Sequence, residues 1–210
     1  HRLAPPNWRA FEARYRDHLP RGDPLIYSQI TVETLRETLR RMKGGSAIGL
    51  DGFRVKELRC LPDFLLERLC EMYTRIEEEG VWPDVLSEGL ISMISKGEGL
   101  RPKDLRPITV TSVLYRLWSA TRVREIMTWQ ESWASPSLFG FRSCLGCEDS
   151  FWQTALEVEE ALLSRTPLHG TSLDFAKAFD RVPQQHIVAL AEGAGLNPQI
   201  LGALKGMYGQ

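Results

Sequence analysis

Residues 170–180 constrain the fold most, because they join a short β-prone run, an acidic residue and a helix-compatible segment. Gly170–Leu173 favours a strand, and Ala176–Ala178 is compatible with a helix. Asp174 is therefore expected at the carboxyl end of a strand, where a side chain can face a cleft. A carboxylate there is a hard oxygen ligand that suits Mg²⁺ or Mn²⁺. Capping a helix or lying in a solvated turn is the commoner role of an aspartate in this position.

The length and composition are ordinary for a soluble globular protein. The chain has 210 residues, of which 43% are hydrophobic and 25% charged, enough for one core of ordinary size or two small ones. No apolar run reaches membrane-spanning length, and the polar, proline-bearing start does not resemble a signal peptide. Because the chain begins at His1 and ends at Gln210 on a helical pattern, the sequence predicts a fragment of a longer protein.

Charge is distributed unevenly along the chain. The net charge of −1 is unusual for a free-standing nucleic-acid binder. Between residues 96 and 124, however, seven Lys or Arg residues stand against two acidic residues, a local charge of +5. Residues 57–88 are acidic, with Glu77–Glu79 at their centre. A segregated basic patch can hold phosphate, although a solvated helix face is equally consistent with the count.

The four cysteines do not predict a metal or disulfide framework. Cys144 and Cys147 have the spacing of a zinc or redox pair. A tetrahedral zinc site needs two further ligands, and no second pair follows. Structural thiols are therefore the favoured interpretation, since a free cysteine usually behaves as a small buried hydrophobe.

Apolar periodicity predicts a helix-rich chain with one β-hairpin. Helices are expected over about 8–18, 31–43, 62–79, 112–133, 147–164, 184–194 and 198–208, and strands over 90–94 and 104–110, joined by a basic loop. The predicted inward faces are Phe64, Leu65, Leu69, Met72 and Ile76 on the third helix and Phe151, Trp152, Ala155, Val158 and Leu162 on the fifth.

Four segments resemble, in the right order, the reverse transcriptases of non-LTR (LINE-type) retrotransposons. They are Gly49–Phe53, Lys96–Ile108, Gly140–Arg142 and Leu173–Val182. The resemblance implies an α+β fold with reverse transcriptase-like fingers and a partial palm: helix-rich, with a short β-hairpin and a palm strand. Residues 1–168 are then the fingers region with its N-terminal helices, and residues 169–210 the incomplete start of the palm.

The resemblance also assigns candidate residues around the palm strand. Asp174 is implied as a catalytic carboxylate and metal ligand of two-metal nucleotidyl transfer, with the backbone carbonyl of Phe175 as a second ligand. Phe179 matches the bulky residue beneath the incoming sugar, where its ring would exclude a 2′-hydroxyl; core packing is the alternative. Asp180 is expected to cap a helix or support the fold.

The hairpin carries the implied nucleotide-binding residues. Lys96 and Arg106 would hold the triphosphate, since a guanidinium binds phosphate oxygens in bidentate fashion and an ammonium adds a mobile charge. Lys103 is an alternative to Lys96, because the length of this loop varies across the family. Ordinary exposed loop charges remain the competing interpretation for all three.

Further basic residues are possible contacts to template or primer. They are Lys103, Arg116 and Arg142, together with Arg122 and Arg124 on the same helix as Arg116. Solvated charge is at least as strong an alternative for each of the helical arginines, and a structural role at a helix start is an equal alternative for Arg142. Leu138 stands where the family usually has Gln, a departure in the segment before Arg142.

The implied function is that of an RNA-directed DNA polymerase, with RNA template, DNA primer and dNTP as partners, Mg²⁺ or Mn²⁺ as cofactor, and a nuclear or cytoplasmic ribonucleoprotein as setting. The sequence contains no adjacent Asp pair, which such a palm also needs, so the fragment alone is expected to be inactive. A non-catalytic RNA-binding module acting through 96–124 and a decayed structural remnant remain open. Phe179 argues against a third option, an RNA-dependent RNA polymerase.

Overall fold

The computed structural model describes residues 7–95, 97, 101, 105–175 and 181–209, and shows a helix-rich chain with a two-stranded sheet. This is the α+β class that the sequence predicts. The elements are α1 (Trp8–Tyr15), a 3₁₀ turn (Arg16–His18), α2 (Val32–Arg41), α3 (Val55–Arg59), α4 (Asp63–Glu79), α5 (Asp84–Ser87), β1 (Gly89–Ser95), β2 (Leu105–Thr111), α6 (Val113–Glu131), α7 (Cys147–Ser164), α8 (Gln184–Ala194) and α9 (Pro198–Tyr208). In the described part, no helix is both long and apolar enough to cross a membrane.

Local capping signals fix the ends of several helices, as predicted. Thr31 caps α2: its hydroxyl accepts from the Thr34 N–H at 3.3 Å, and the Thr34 hydroxyl accepts from the Thr31 N–H at 2.9 Å. Gly80 ends α4 in the left-handed region at φ 70°, which a residue without Cβ adopts at little cost. The short helices α3 and α5 were not predicted, since four or five residues carry no readable periodicity.

The predicted β-hairpin is confirmed. β1 and β2 pair antiparallel in a register that runs from Gly89 opposite Thr111 to Ser95 opposite Leu105. Directly paired residues share a face of the ribbon, so one face carries Leu90, Ile94, Ile108 and Arg106. These four side chains are exposed, and the ribbon therefore presents a surface instead of filling a core.

The first of two compact units comprises Leu25–Ile126 and Leu196–Gln210 and contains the hairpin. In it α4 packs against α2 and α9. Two buried polar contacts tie its helices together: the Trp82 indole N–H donates to the Ala203 carbonyl at 2.8 Å, and the Tyr73 hydroxyl to the Leu114 carbonyl at 2.8 Å. Its fully buried side chains include Leu35, Leu39, Val55, Leu58, Leu66, Tyr73, Trp82, Leu117, Trp118 and Ile200.

The second unit comprises His1–Pro24 and Met127–Gly195. Here α1 packs against α8, where the buried ring of His186 lies 5.4 Å from Trp8 and 5.3 Å from Phe11 between ring centroids. The Trp129 indole N–H donates to the Asp23 carbonyl at 2.6 Å. The division into 1–168 and 169–210 stays a prediction, because it concerns a family architecture and not these units.

The strand predicted before Asp174 is absent. Residues 170–175 are neither helix nor strand, and all are exposed. Strand formation needs a partner for the backbone N–H and C=O groups, and the sheet seen among the described residues contains β1 and β2 only. Local β propensity without a neighbouring strand does not make a strand.

The predicted inward face of α4 is wrong in part. Phe64 and Leu65 are exposed, whereas Leu66 and Tyr73 are fully buried; of the predicted set, Ile76 is buried. The buried stripe also includes Glu77, a charged residue that apolar periodicity assigns to solvent. The buried face of α4 is therefore turned toward Arg122, the polar partner of Glu77, which lies 45 residues away in the sequence.

The predicted inward face of α7 is also wrong. Phe151, Trp152, Val158 and Leu162 are exposed, and no residue of this helix is buried. The helix itself begins and ends where the sequence predicts. Periodicity therefore identified an apolar face correctly but not whether the described residues cover it.

Candidate functional site

Arg106 lies on the exposed face of the hairpin, near its loop. It is paired with Ile94 across the ribbon, and its side chain is exposed. It forms no hydrogen bond or ion pair with another described residue, so its guanidinium is available to an anion. Arg101, also exposed, adds positive charge in the same loop region. This arrangement is chemically suited to binding phosphate oxygens.

Several predicted residues lie outside the described residues. They are Lys96 and Lys103 in the hairpin loop and Phe179 and Asp180 after the Asp174 segment. Their assigned roles stay predictions based on the family resemblance.

The junction between β2 and α6 is held by the turn that contains Asp51. From the sequence this segment was predicted only as a turn between elements. Asp51 caps α6 from a distance of about sixty residues in the chain: its Oδ2 accepts from the Val113 N–H at 2.7 Å and from the Leu114 N–H at 3.1 Å. Ser112 adds a local cap by accepting from the Tyr115 N–H at 3.0 Å. Two of the N–H groups left open at a helix start are thus satisfied by one remote carboxylate.

Gly49 permits that turn to approach closely. A Cβ at this position would lie 2.5 Å from the Thr111 carbonyl oxygen and 2.7 Å from the Ser112 Cα, distances that a real Cβ does not tolerate. The Gly49–Gly52 turn therefore packs against the junction between β2 and α6. No local signal in the sequence reveals this contact, since Asp-Gly predicts only a turn.

A buried ion pair lies beneath α6 and replaces the template contact considered for Arg122. Arg122 donates from Nε to Glu77 Oε1 at 2.6 Å and from Nη2 to Glu77 Oε2 at 2.6 Å. Both side chains are essentially inaccessible to solvent. Trp118 donates to the same carboxylate at 2.7 Å, and the Tyr27 hydroxyl donates to it at 2.8 Å. The prediction that Arg122 contacts the template or is solvated is therefore wrong.

The surroundings of this network raise the pKa values of Tyr27 and Arg122, which favours the ion pair between Arg122 and Glu77. Burial and the hydrogen bond to Glu77 raise the pKa of Tyr27 to about 12. Burial alone would lower the pKa of Arg122, but its hydrogen bonds and attraction to Glu77 and Glu125 raise it. The guanidinium thus stays charged in a dry position, and the segment around Tyr27 is held onto α4 and α6.

The other candidate template arginines also have partners within the fold. Arg116 donates to the Ala47 carbonyl, and Arg124 pairs with Glu37 at 3.0 Å. Arg142 donates to Glu131 at 2.6 Å and to the Ser135 carbonyl at 2.9 Å. The hydrogen bond to Glu131 raises the pKa of Arg142. The geometry thus supports the structural alternative for Arg142, while a nucleic-acid contact by Arg116 or Arg142 stays a prediction.

Asp174 and the Phe175 carbonyl supply oxygen donors of the type that Mg²⁺ prefers, but not a complete site. Asp174 is exposed. Among the described residues, no group of three or more His, Cys, Asp or Glu side chains is arranged to hold a metal ion. Cys144 and Cys147 are exposed, and among the described residues they belong to no group that could hold a metal ion. The donors present do not by themselves fit a two-metal centre.

Comparison with known proteins finds similarity over most of the chain. It is 28% identical over 184 residues, or 85% of its length, to the RNA-directed DNA polymerase from mobile element jockey of Drosophila funebris. It is 28% identical over 166 residues (77%) to the retrovirus-related Pol polyprotein from type-2 retrotransposable element R2DM of Drosophila melanogaster. It is 26% identical over 191 residues (87%) to the transposon TX1 uncharacterized 149 kDa protein of Xenopus laevis.

The matches cover only a small part of each relative. The aligned region is 20% of the jockey protein, 15% of the R2DM polyprotein and 14% of the TX1 protein. No family model matches the chain.

Proposed function

Because the chain is related over most of its length to the reverse transcriptases of non-LTR retrotransposons, we propose that it forms the fingers and the first part of the palm of an RNA-directed DNA polymerase. In this proposal residues 1–168 belong to the fingers region and residues 169–210 begin the palm. RNA template, DNA primer and dNTP are the partners. The observation that carries the proposal is the similarity to the jockey polymerase across 85% of the chain.

The hairpin supports nucleotide binding by Arg106. Its guanidinium is exposed and forms no ion pair with a described residue, whereas the other arginines considered for substrate contact are engaged within the fold. We assign Arg106 the task of holding triphosphate oxygens in bidentate fashion, with Lys96 adding charge from the loop. Ile94, Ile108 and Leu90 supply an apolar ribbon surface next to it.

The palm segment contributes Asp174, the Phe175 carbonyl and Phe179. Asp174 and Phe175 would provide part of the oxygen ligands of a divalent cation, which neutralises triphosphate charge in nucleotidyl transfer when bound. Phe179 would exclude a 2′-hydroxyl and so favour deoxynucleotides. Since no adjacent Asp pair occurs in these 210 residues, the remaining carboxylates have to come from elsewhere in a polymerase, and the chain alone should not extend a primer.

Nucleotide binding by the 210-residue chain tests the role of Arg106 without requiring turnover. Isothermal titration with a dNTP and Mg²⁺ should show that Arg106→Ala weakens binding at least about tenfold, since hydrogen bonds to charged groups contribute about 1.5–3 kcal/mol. The control is Arg75→Ala, which removes an equal charge from an exposed position on α4 and should change the affinity less than about twofold. Equal losses in both variants would refute a specific phosphate contact.

The same 210-residue chain can distinguish the polymerase proposal from a non-catalytic, RNA-binding alternative. Exposed Arg101 and Arg106 favour RNA binding by the hairpin as the second candidate function. Salt-dependent RNA binding that Arg106→Ala abolishes, without measurable dNTP binding, would support an RNA-binding remnant. Absence of both activities would support a structural remnant.

A further inference from the structure

The Gly49–Gly52 turn lies at the base of the hairpin that carries Arg106. It belongs to one of the four segments that resemble the reverse transcriptase family, yet none of its side chains is among the candidate substrate-binding residues. The turn, the hairpin and the start of α6 belong to the same compact unit. Their placement relative to one another is therefore a property of one packed body.

The hairpin joins the rest of this unit through short connections at its base. Glu88 alone separates α5 from β1, and Ser112 alone separates β2 from α6. Most residues of both strands are exposed, so packing against other described residues contributes little to the orientation of the ribbon. The groups that hold the two connections therefore set the direction in which the hairpin points.

Asp51 holds the connection between β2 and α6. Its Oδ2 accepts from the N–H groups of Val113 and Leu114 at 2.7 and 3.1 Å, whereas its Oδ1 is buried and has no hydrogen-bond partner among the described residues. The carboxylate is thus committed to the first turn of α6, where the positive end of the helix dipole adds attraction. Without it, two N–H groups at the start of α6 would lose their acceptor and the first turn would fray.

Two further contacts bind the same connection to its surroundings. Gly49 lies so near to it that a Cβ there would come 2.5 Å from the carbonyl oxygen of Thr111, the last residue of β2. The buried Ser112 hydroxyl donates a long hydrogen bond of 3.4 Å to the Leu86 carbonyl of α5, which precedes β1. Both strands are therefore anchored through one cluster at the start of α6.

The distance between this cluster and Arg106 amplifies any tilt of the hairpin. Arg106 lies five residues before Thr111 on β2, which corresponds to about 17 Å at roughly 3.4 Å per residue. A tilt of about 10° at the base would displace its guanidinium by about 3 Å, whereas a productive binding geometry tolerates roughly 0.5 Å. A small loss of order at the base is therefore enough to remove a bidentate phosphate contact.

We propose that Asp51 is a positioning residue for Arg106. By capping α6 at the end of β2, its carboxylate fixes the direction of the hairpin and thereby the place at which the guanidinium meets the triphosphate. Asp51 itself touches no substrate in this arrangement. The inference rests on the proposed nucleotide-binding role of Arg106 and extends it to the turn at the base of the hairpin.

Nucleotide affinity measures the effect on Arg106. In isothermal titration of the folded 210-residue chain with a dNTP and Mg²⁺, Asp51→Ala should weaken binding at least about threefold. Gly49→Ala, which pushes the same turn away from Thr111, should cause a similar loss. Asp51→Asn keeps a capping oxygen and should retain the affinity of the parent. The matched control is Thr31→Ala, which removes the cap of α2 in the same unit and should change the affinity less than about twofold.

A double-mutant cycle shows whether Asp51 acts through Arg106. Adding Asp51→Ala to Arg106→Ala should weaken binding by less than about a further twofold, because the group that Asp51 positions is already absent. A general structural loss would lower the affinity by the same factor in both backgrounds, and that result would overturn the proposal.

The direction of the hairpin can be measured without any nucleotide. Spin labels at Met93→Cys on β1 and Glu78→Cys on α4, in a chain whose four native cysteines are replaced by alanine, report the distance between ribbon and helix. Asp51→Ala should broaden the distance distribution by at least about 2 Å, since Met93 lies about 14 Å from the start of β1. Asp51→Asn and Thr31→Ala should leave it unchanged. An unaltered distribution in Asp51→Ala would refute the positioning role.

The two measurements separate this inference from the proposed function. If the parent chain binds no dNTP, the nucleotide-binding role of Arg106 fails, and the assignment of Asp51 to it fails as well. If Arg106→Ala weakens binding but Asp51→Ala does not, nucleotide binding by Arg106 stands and the positioning role of Asp51 is refuted.

Discussion

Replacing Arg122 by Met should strongly destabilise the unit that carries the hairpin. Met occupies much of the same volume but cannot donate the two 2.6 Å hydrogen bonds to Glu77 or the 2.8 Å bond to the Ser28 carbonyl. Glu77 would then remain buried with only the neutral donors of Tyr27 and Trp118. Removing one partner of a buried pair costs about 3–5 kcal/mol, a large part of a typical domain stability of about 5–15 kcal/mol.

Urea unfolding followed by circular dichroism measures this loss. With a slope of about 2 kcal/mol per molar urea, Arg122→Met should lower the midpoint by about 2 M. The control is Arg75→Met, which breaks an exposed pair with Glu79 at 3.7 Å on the same helix as Glu77 and should cost less than about 1 kcal/mol. Equal losses in the two variants would refute the structural role of the buried pair.

Three further predictions follow from the same unit. Gly49→Ala should destabilise it by about 1–3 kcal/mol in urea unfolding, because the new Cβ meets the Thr111 carbonyl at 2.5 Å; Gly45→Ala, with nothing within 4 Å, is the control and should be neutral. Asp51→Ala should cost about 1–2 kcal/mol by removing the cap of α6, and a loss no larger than that of Asp84→Ala would contradict this. The pKa of Tyr27 is raised from 10.0 to about 12 in the fold, so its stabilising contribution is complete below pH 10 and is lost as the pH rises toward 12; the free energy of unfolding should fall less steeply over this range in Tyr27→Phe than in the parent chain.

The positions of the longer helices could be predicted from the sequence, but which of their faces are buried could not. Caps such as Thr31 and Gly80 and the periodicity of α7, α8 and α9 are local signals, and the structure confirms them. The side of α4 that is buried depends on Glu77 and Arg122, which are 45 residues apart. The strand predicted before Asp174 is absent from the structure. Strand pairing depends on tertiary contacts, which local β propensity does not encode.

The candidate site could be predicted only as a set of residues with family roles. The resemblance to non-LTR reverse transcriptases is confirmed by the similarity to the jockey and R2DM proteins. Arg106 is exposed and has no hydrogen-bond or ion-pair partner among the described residues, whereas Arg122 is part of the core. Charge counting could not separate these cases, because an arginine in a basic segment looks the same whether its partner is a phosphate or a buried glutamate.

Primer extension is the direct test of polymerase chemistry at Asp174. The assay compares the parent with Asp174→Ala and the control Asp84→Ala, in a longer polypeptide in which this chain precedes an Asp–Asp hairpin. Asp174→Ala should lower dNTP incorporation on an RNA template at least about a thousandfold, because a lost metal ligand removes about 4 kcal/mol of transition-state stabilisation, while Asp84→Ala should retain activity. Incorporation by Asp174→Ala within a few-fold of the parent would show that Asp174 is not a catalytic metal ligand.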